Sequence, residues 1–224
     1  MGEKVEFAAN GGSCQGYLAL PSSGSGPGLL VIQEWWGLVE HIERVADRFA
    51  EAGFVALAPD LYHGEATTSP DEAGRLMMAL NIEQAGKDLK GAADFLLGHE
   101  AVEPKKVGAL GFCMGGQLAL FAATEHPEIA ACVDFYGIHP EVKPDFRKLR
   151  GKVLCHWAKN DAFVTPEAAE ALVKAMRDAG VEVESYMYDA GHAFFNDSRP
   201  DAYDEAAAKL AWERTLAFLR RTLS

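Results

Sequence analysis

The sequence has few cysteines, and they lie far apart. Its 224 residues contain four, Cys14, Cys113, Cys132 and Cys155, with no Cys-x-x-Cys pair and no His-x-x-x-His spacing. Disulfide scaffolds and zinc modules are recognised by closely spaced cysteines and histidines. The sequence therefore predicts neither, and no metal or other cofactor is expected. With the exception of Cys113, the cysteines fall on predicted strands and are expected to be inert thiols.

Positive charge is also scarce. The chain has 21 Lys and Arg against 33 Asp and Glu, a formal net charge of −12 with neutral histidine, and the acidic residues are spread along its length. Binding to a phosphate backbone needs clustered cations, so no nucleic-acid partner is expected. No segment approaches the roughly 18 consecutive apolar residues of a membrane span, and no signal peptide is recognisable at the amino terminus. We therefore expect no membrane association and a cytoplasmic location.

Nucleotide-binding glycine motifs are missing as well. The glycines near the middle of the chain read Gly108-x-x-Gly111, which is not the Gly-x-Gly-x-x-Gly pattern of dinucleotide-binding folds, and no Gly-Lys-Ser/Thr phosphate loop occurs. Nucleotide binding is the weaker interpretation of these glycines.

Short apolar runs alternate with helical patterns along most of the chain. Weak strands at Val5–Phe7 and Cys14–Leu20, joined by the turn Asn10-Gly11-Gly12, predict an antiparallel hairpin at a sheet edge. Further strands are predicted at Leu29–Ile32, Phe54–Ala58, Val107–Gly111, Ala130–Phe135, Val153–His156 and Val183–Tyr188, with helices at Glu40–Ala52, Asp71–Leu97, Met114–Ala123, Pro166–Ala179 and Tyr203–Leu219. This alternation predicts a single α/β domain over residues 1–224, with a mostly parallel, doubly wound sheet and an antiparallel N-terminal edge hairpin.

The sharpest local signal surrounds Cys113. A buried strand runs into Gly111-Phe112-Cys113-Met114-Gly115 and is followed at once by an apolar helix. This is the context of a nucleophile elbow, with cysteine where most such enzymes carry serine. The glycines allow strand and helix backbones to approach closely, and the first turn of the helix favours a thiolate. We therefore predict that Cys113 is a nucleophile.

A nucleophile of this kind needs a base and an orienting acid, which follow it in the order acid, then histidine. Asp161 and His192 both lie in predicted loops just after strands, in this order. Asp189 is a second candidate for the acid because it is near His192 in sequence, although its position at a strand end favours a turn role. The remaining histidines have no matching partner and are expected on the surface or in packing roles.

Glu34 is the fourth candidate. It follows the first buried strand and precedes Trp35 and Trp36, so its carboxyl group is expected in a partly apolar crevice. The backbone N–H groups of Trp35 and Met114 are predicted to form an oxyanion hole, since such enzymes take one donor from this early loop and one from the residue after the nucleophile.

The aperiodic stretch Leu61–Asp71 follows the carboxyl end of a strand, where open α/β sheets bind ligands. It is a candidate wall of the site, and a plain surface loop is the alternative. The predicted substrate-binding residues are Trp36, Tyr62, Phe194 and Asn196.

Five segments together resemble the dienelactone hydrolase (carboxymethylenebutenolidase) family, a cysteine-using branch of the α/β-hydrolase superfamily. They are Q-E-W-W-G at 33–37, A-P-D-L-Y at 58–62, G-F-C-M-G-G at 111–116, N-D-x-F-V at 160–164 and A-G-H-A-F at 190–194. The resemblance implies a Cys113–His192–Asp161 triad that hydrolyses an ester or lactone through an acyl-thioester. It also implies that Glu34 pairs with the resting thiol and helps to remove its proton.

The substrate end of the site departs from the family pattern. Well-known members carry an arginine four residues after the histidine and another before the long helix, whereas this chain has Asn196 and, near the second position, Ser69-Pro70; Arg75 and Arg199 are only nearby cations. Together with the negative net charge, this weighs against dienelactone itself. The expected partner is a small ester or lactone, and the expected assembly is a monomer or small homo-oligomer. The alternative function is a binding or regulatory protein of the same fold with little catalysis.

Overall fold

All strands of the computed structural model belong to one sheet. The structure describes residues 2–9 and 11–224, and within these residues it has eight strands and six α-helices. The strands are β1 Glu3–Ala9, β2 Gly12–Ala19, β3 Gly26–Ile32, β4 Val55–Pro59, β5 Val102–Phe112, β6 Ile129–Phe135, β7 Lys152–Asn160 and β8 Val183–Gly191. The helices are α1 Glu40–Glu51, α2 Pro70–Ala79, α3 Ile82–Gly98, α4 Met114–Glu125, α5 Pro166–Asp178 and α6 Glu205–Leu223.

The sheet has the order β1-β2-β4-β3-β5-β6-β7-β8. The pairs from β4 to β8 are parallel, whereas β1 pairs with β2 and β2 with β4 in antiparallel fashion. The predicted mostly parallel sheet with an antiparallel N-terminal edge hairpin is therefore confirmed. Within the hairpin turn, Gly11 has a positive φ of 75°, a conformation that glycine adopts without steric cost. Asn10, also predicted in this turn, lies outside the described residues.

Helices cover both faces of the sheet, and a separate layer of buried apolar side chains fills each interface. Leu89 of α3, Leu118 of α4 and Val173 of α5 belong to one layer, and Phe49 of α1 and Phe218 of α6 belong to the other. Strands buried on both faces explain the continuous apolar runs in the sequence. Among the described residues, none of the helices combines the length and hydropathy that a membrane span requires.

One predicted helix was wrong in its extent. The periodic pattern over Asp71–Leu97 forms two helices, α2 and α3, because Leu80 leaves the helical region with a ψ of 122°. Asn81 then caps α3, its side-chain oxygen accepting a hydrogen bond from the Gln84 backbone N–H at 3.0 Å. Asparagine is a favoured N-cap residue, and this local bond competes with continuation of the helix.

The interior of the sheet contains a neutral histidine. His156 of β7 is fully buried, and its ring nitrogens lie 2.8 Å from the Tyr188 hydroxyl and 2.9 Å from the Thr215 hydroxyl. Burial, assisted by the positive charge of Arg214, lowers its pKa to about 3.

We expect this histidine to make the protein sensitive to acid. Since an unfolded histidine titrates near pH 6.5, only the unfolded chain gains this proton as the pH falls from 6.5 towards 3, and stability is lost in that window. The contribution is about 2 kcal/mol between pH 7 and pH 5. Urea unfolding at both pH values should show a correspondingly smaller loss in His156→Gln than in wild type. An equal loss in the two proteins would contradict this assignment.

Candidate active site

The four candidate catalytic residues all follow the carboxyl ends of parallel strands. Glu34 comes after β3, Cys113 after β5, Asp161 after β7 and His192 after β8. Because these strands point the same way, their carboxyl ends meet at one edge of the sheet, the usual place for a ligand crevice. Glu34, Cys113 and His192 line one cavity there, and Asp161 lies behind His192.

Cys113 occupies a strained turn between β5 and α4. Its φ is 54° and its ψ is −125°, in a region that non-glycine residues rarely adopt. Its backbone N–H donates to Phe135 of β6 at 3.0 Å, and its carbonyl accepts from the Gly116 N–H at 2.9 Å. These bonds hold the turn so that the thiol projects from the sheet edge and remains partly exposed, whereas the other three cysteines are buried.

Two glycines make this turn sterically possible. A Cβ atom at Gly111 would overlap the backbone carbonyl of Gly115, and one at Gly115 would overlap the carbonyl oxygens of Ile32 and Gln33 on β3 and its following loop. The predicted close approach of strand and helix is thus present.

His192 is held by Asp161. Its Nδ1 lies 2.7 Å from Asp161 Oδ2, while Asp161 Oδ1 accepts hydrogen bonds from the backbone N–H groups of Phe163 at 2.8 Å and Val164 at 2.9 Å. Both carboxylate oxygens are therefore occupied, which fixes the orientation of the imidazole. Asp189, the other candidate, is exposed and lies 3.4 Å from the Asn160 amide instead.

His192 and Cys113 line the same cavity, and their side chains are close enough to interact electrostatically. Burial alone lowers the pKa of His192, but the hydrogen bond to Asp161, the interaction with Cys113 and the negative charges of both raise it to about 10. The ring is therefore protonated at neutral pH and acts as a proton donor towards the cavity.

Glu34 has a different partner from the one that the family resemblance implies. Its Oε2 accepts a hydrogen bond from the Asn196 amide at 2.7 Å, and its buried Oε1 has no hydrogen-bond partner within the described residues. Among the described residues the implied pairing with the Cys113 thiol is therefore absent, because the Asn196 amide is the partner of the Glu34 carboxyl group. Burial raises the pKa of Glu34, although Asn196 and the positive charges of His192 and Arg199 oppose this.

The predicted oxyanion-hole donors are unengaged. Over residues 2–9 and 11–224, the backbone N–H groups of Trp35 and Met114 donate to no protein acceptor. Both belong to residues adjacent to the cavity floor: Trp35 follows Glu34, and Met114 follows Cys113. Free N–H groups at the beginning of a helix and in the neighbouring loop suit a developing negative charge.

The cavity has a volume of about 300 Å³ and mostly apolar walls. Its polar groups come from Glu34, Cys113, His192 and Arg199. The apolar walls are formed by Trp35, Trp36, Pro70, Met77, Ile138, Phe163, Val164 and Ala193. Such a volume suits a small organic molecule with an apolar body and few polar groups.

The predicted substrate-binding residues separate into two groups. Trp36 lines the cavity, and Asn196 contacts it indirectly, through its hydrogen bond to the lining residue Glu34. Tyr62 and Phe194 are not in its lining: the Tyr62 hydroxyl bonds Met114 Sδ at 3.2 Å, and Phe194 is fully buried, with its ring centroid 5.3 Å from that of Tyr136. Of the predicted wall 61–71, Pro70 reaches the cavity.

Arg199 is the functional candidate that sequence reasoning passed over. Its guanidinium carbon lies 5.5 Å from the ring centroid of Trp36, and its side chain, 38% exposed, also bonds Asp201 at 2.7 Å. It reaches the cavity because the loop after His192 turns back over Trp36. Arg75, the other nearby cation, pairs with Glu72 at the surface. No sequence pattern distinguishes the two arginines; only the path of the loop does.

The chain is similar to known proteins over nearly its whole length. The family described as the dienelactone hydrolase family matches residues 14–223. The chain is 39% identical to protein usf of Aquifex pyrophilus, over all of both chains, and 33% identical to carboxymethylenebutenolidase of Pseudomonas sp. strain P51, over 96% of this chain and 92% of that one. Among solved structures, a dienelactone hydrolase-like promiscuous phosphotriesterase from metagenomic libraries superposes with a TM-score of 0.88 at 25% identity, covering 100% of this chain and 99% of the other.

The site geometry predicts which thiol reacts first. Native protein treated with iodoacetamide at pH 7 should be alkylated at Cys113 ahead of the three buried cysteines, because Cys113 is accessible and shares its cavity with a protonated imidazole. In His192→Asn the rate at Cys113 should fall about tenfold or more. Peptide mass spectrometry against time measures both. An unchanged rate in the variant would show that His192 does not activate the thiol.

Proposed function

The chain belongs to the dienelactone hydrolase family, a family of ester and lactone hydrolases, and from this premise we propose that it cleaves a carboxylic ester or lactone with Cys113 as nucleophile. The observation that carries the proposal is the Asp161–His192 hydrogen bond beside the strained Cys113, with Cys113 and His192 lining one apolar cavity. A protein that only binds its ligand has no need for a strained cysteine beside a protonated histidine.

In the proposed first step, the Cys113 sulfur attacks the carbonyl carbon as a thiolate paired with protonated His192. The carbonyl oxygen becomes an oxyanion between the backbone N–H groups of Trp35 and Met114. When the tetrahedral intermediate collapses, the carbon–oxygen bond breaks and His192 gives its proton to the leaving alkoxide. An acyl-thioester on Cys113 remains.

In the second step, neutral His192 accepts a proton from water as the water attacks the thioester. The carbon–sulfur bond breaks, the carboxylic acid leaves, and the thiolate–imidazolium pair returns. Asp161 stays ionised throughout and holds the ring in one orientation, and its negative charge stabilises the imidazolium. Glu34, close enough to His192 for their charges to interact, adds to this stabilisation when it is ionised.

The proposal is tested by hydrolysis of small activated esters. Cys113→Ala should lose at least about a thousandfold in kcat/KM, because the covalent route is removed. Cys132→Ala is the matched control, because it removes a buried thiol of β6 that does not line the cavity. It should keep near wild-type turnover. Mass spectrometry of quenched wild-type reactions should show the acyl adduct on Cys113. Wild-type turnover no greater than that of Cys113→Ala on every ester tried would favour the binding-protein alternative.

Within this function, we place an anionic group of the substrate at Arg199. Within the described cavity lining, Arg199 and His192 are the residues that can carry a positive charge. The Arg199 guanidinium lies over the Trp36 ring and bonds the Asp201 carboxylate. In a chain of net charge −12, a local cation offsets the general repulsion of an anion.

Replacement of Arg199 should therefore discriminate between substrates. Arg199→Gln should raise KM about five- to tenfold for an ester that carries a carboxylate, because one partly exposed ion pair is lost. KM for the uncharged ester of the same shape should change less than about twofold, and kcat should hold for both. Equal effects on the two esters would refute anion recognition. Arg75→Gln, at the surface, is the matched control.

A further inference from the structure

A second group of reactive side chains lies outside the cavity that contains Cys113. Cys14 of β2, His63 of the loop after β4, and Asp88 of α3 converge so that one ligand atom of each lies within 4.8 Å of the other two. None of them lines the catalytic cavity, and none has a part in the proposed hydrolysis. A thiol, an imidazole and a carboxylate together are the donor types that bind zinc in proteins.

The spacing of these atoms is close to that of a metal site. Tetrahedral zinc with bonds of about 2.0 Å to nitrogen and oxygen and 2.3 Å to sulfur places its ligand atoms about 3.3 to 3.6 Å apart. His63 Nε2 now lies 2.9 Å from Asp88 Oδ2, and every pair falls within 4.8 Å. Movements of about an ångström or less would therefore bring all three atoms into coordination.

The carboxylate has the supporting contacts of a ligand. Asp88 is 1% exposed on a helix face that is otherwise packed with apolar residues, and aspartate is rarely buried to this degree without a partner. The Gln84 amide donates to its Oδ1 at 2.9 Å, which leaves Oδ2 directed at His63. Metal-bound carboxylates are commonly oriented by such an outer hydrogen bond.

The charge around Cys14 also favours a cation. Its thiol is 1% exposed, and its Sγ lies 3.6 Å from the Asp60 carbonyl oxygen. The buried Asp88 carboxylate adjoins this thiol, and a divalent cation in this place would compensate its negative charge.

We propose that Cys14, His63 and Asp88 form a binding site for a divalent transition-metal ion, with zinc as the best match to the ligand set. On binding, the Cys14 thiol loses its proton to water and its sulfur forms the metal bond, while neutral His63 coordinates through Nε2 and Asp88 through Oδ2. A water molecule takes the fourth position. His63, whose side chain is 45% exposed, provides the path of entry from solvent.

The test uses chelator-treated full-length protein titrated with Co²⁺, a spectroscopic stand-in for zinc. Wild type and Cys113→Ser should both develop thiolate-to-cobalt charge-transfer absorption that saturates at one equivalent, and Zn²⁺ should abolish it. Cys14→Ser, checked for folding by circular dichroism, should not develop it. Cys113→Ser is the matched thiol control because it leaves the cluster intact.

A second variant keeps the test decisive if Cys14→Ser fails to fold. His63 has a positive φ of 52°, a conformation that asparagine tolerates well, so His63→Asn should fold and bind Co²⁺ at least about tenfold more weakly. At the same concentration, zinc should raise the thermal midpoint of wild type more than that of this variant. No charge-transfer absorption in wild type, its disappearance in Cys113→Ser, or equal cobalt affinity in His63→Asn would each overturn the proposal.

Discussion

The approach of α4 to the sheet is the constraint on which the rest of this structure depends. Gly111 and Gly115 bring the beginning of the helix against the backbone of β5 and of the loop after β3 so closely that a single methyl group would not fit. The strained conformation of Cys113 exists only because packing on both sides of this contact holds it. The same contact sets the distance between the Met114 N–H and the loop of Trp35, so Cys113 and the two proposed oxyanion donors are positioned together.

Backbone strain is concentrated around this point. Cys113, Tyr136 and Ala193 all have positive φ values. Each lies at or beside the cavity: Cys113 and Ala193 line it, and the ring of Tyr136 is 5.0 Å from that of His192. Such conformations cost about 1–3 kcal/mol each, and the layers of buried side chains on the two faces of the sheet compensate for them.

Two buried carboxyl groups near one imidazole have different environments and therefore different chemistry. Asp161 bonds the ring directly and accepts hydrogen bonds from two backbone N–H groups. Glu34 has one amide donor and an unbonded oxygen in an apolar setting, which raises its pKa. Burial of Glu34 produces this difference, and the hydrogen bond from Asn196 opposes it.

Much of the fold follows from local sequence. The apolar runs were sufficient to predict the sheet and its edge hairpin. The glycines around Cys113 and the positions of Asp161 and His192 just after strands were sufficient to predict which residues meet at the sheet edge. The boundary between α2 and α3 was missed because the apolar periodicity continues across Leu80, and only the cap at Asn81 interrupts it. Tyr62 and Phe194, which were also predicted to bind substrate, lie outside the cavity lining, because a position in the sequence does not reveal which way a side chain turns.

By itself, the sequence determined the order of the candidate nucleophile, acid and histidine, each of which follows a strand whose carboxyl end lies at the same edge of the sheet. Only the tertiary structure decided which further groups meet there. Arg199 reaches the cavity because of the path of one irregular loop, and the Glu34 carboxyl group is bonded by the Asn196 amide rather than by the Cys113 thiol. Cys14, His63 and Asp88 come together from three elements. The physical reason is that strand periodicity is a local property of the chain, whereas contacts between loops and distant elements depend on backbone angles and packing that no short sequence pattern records.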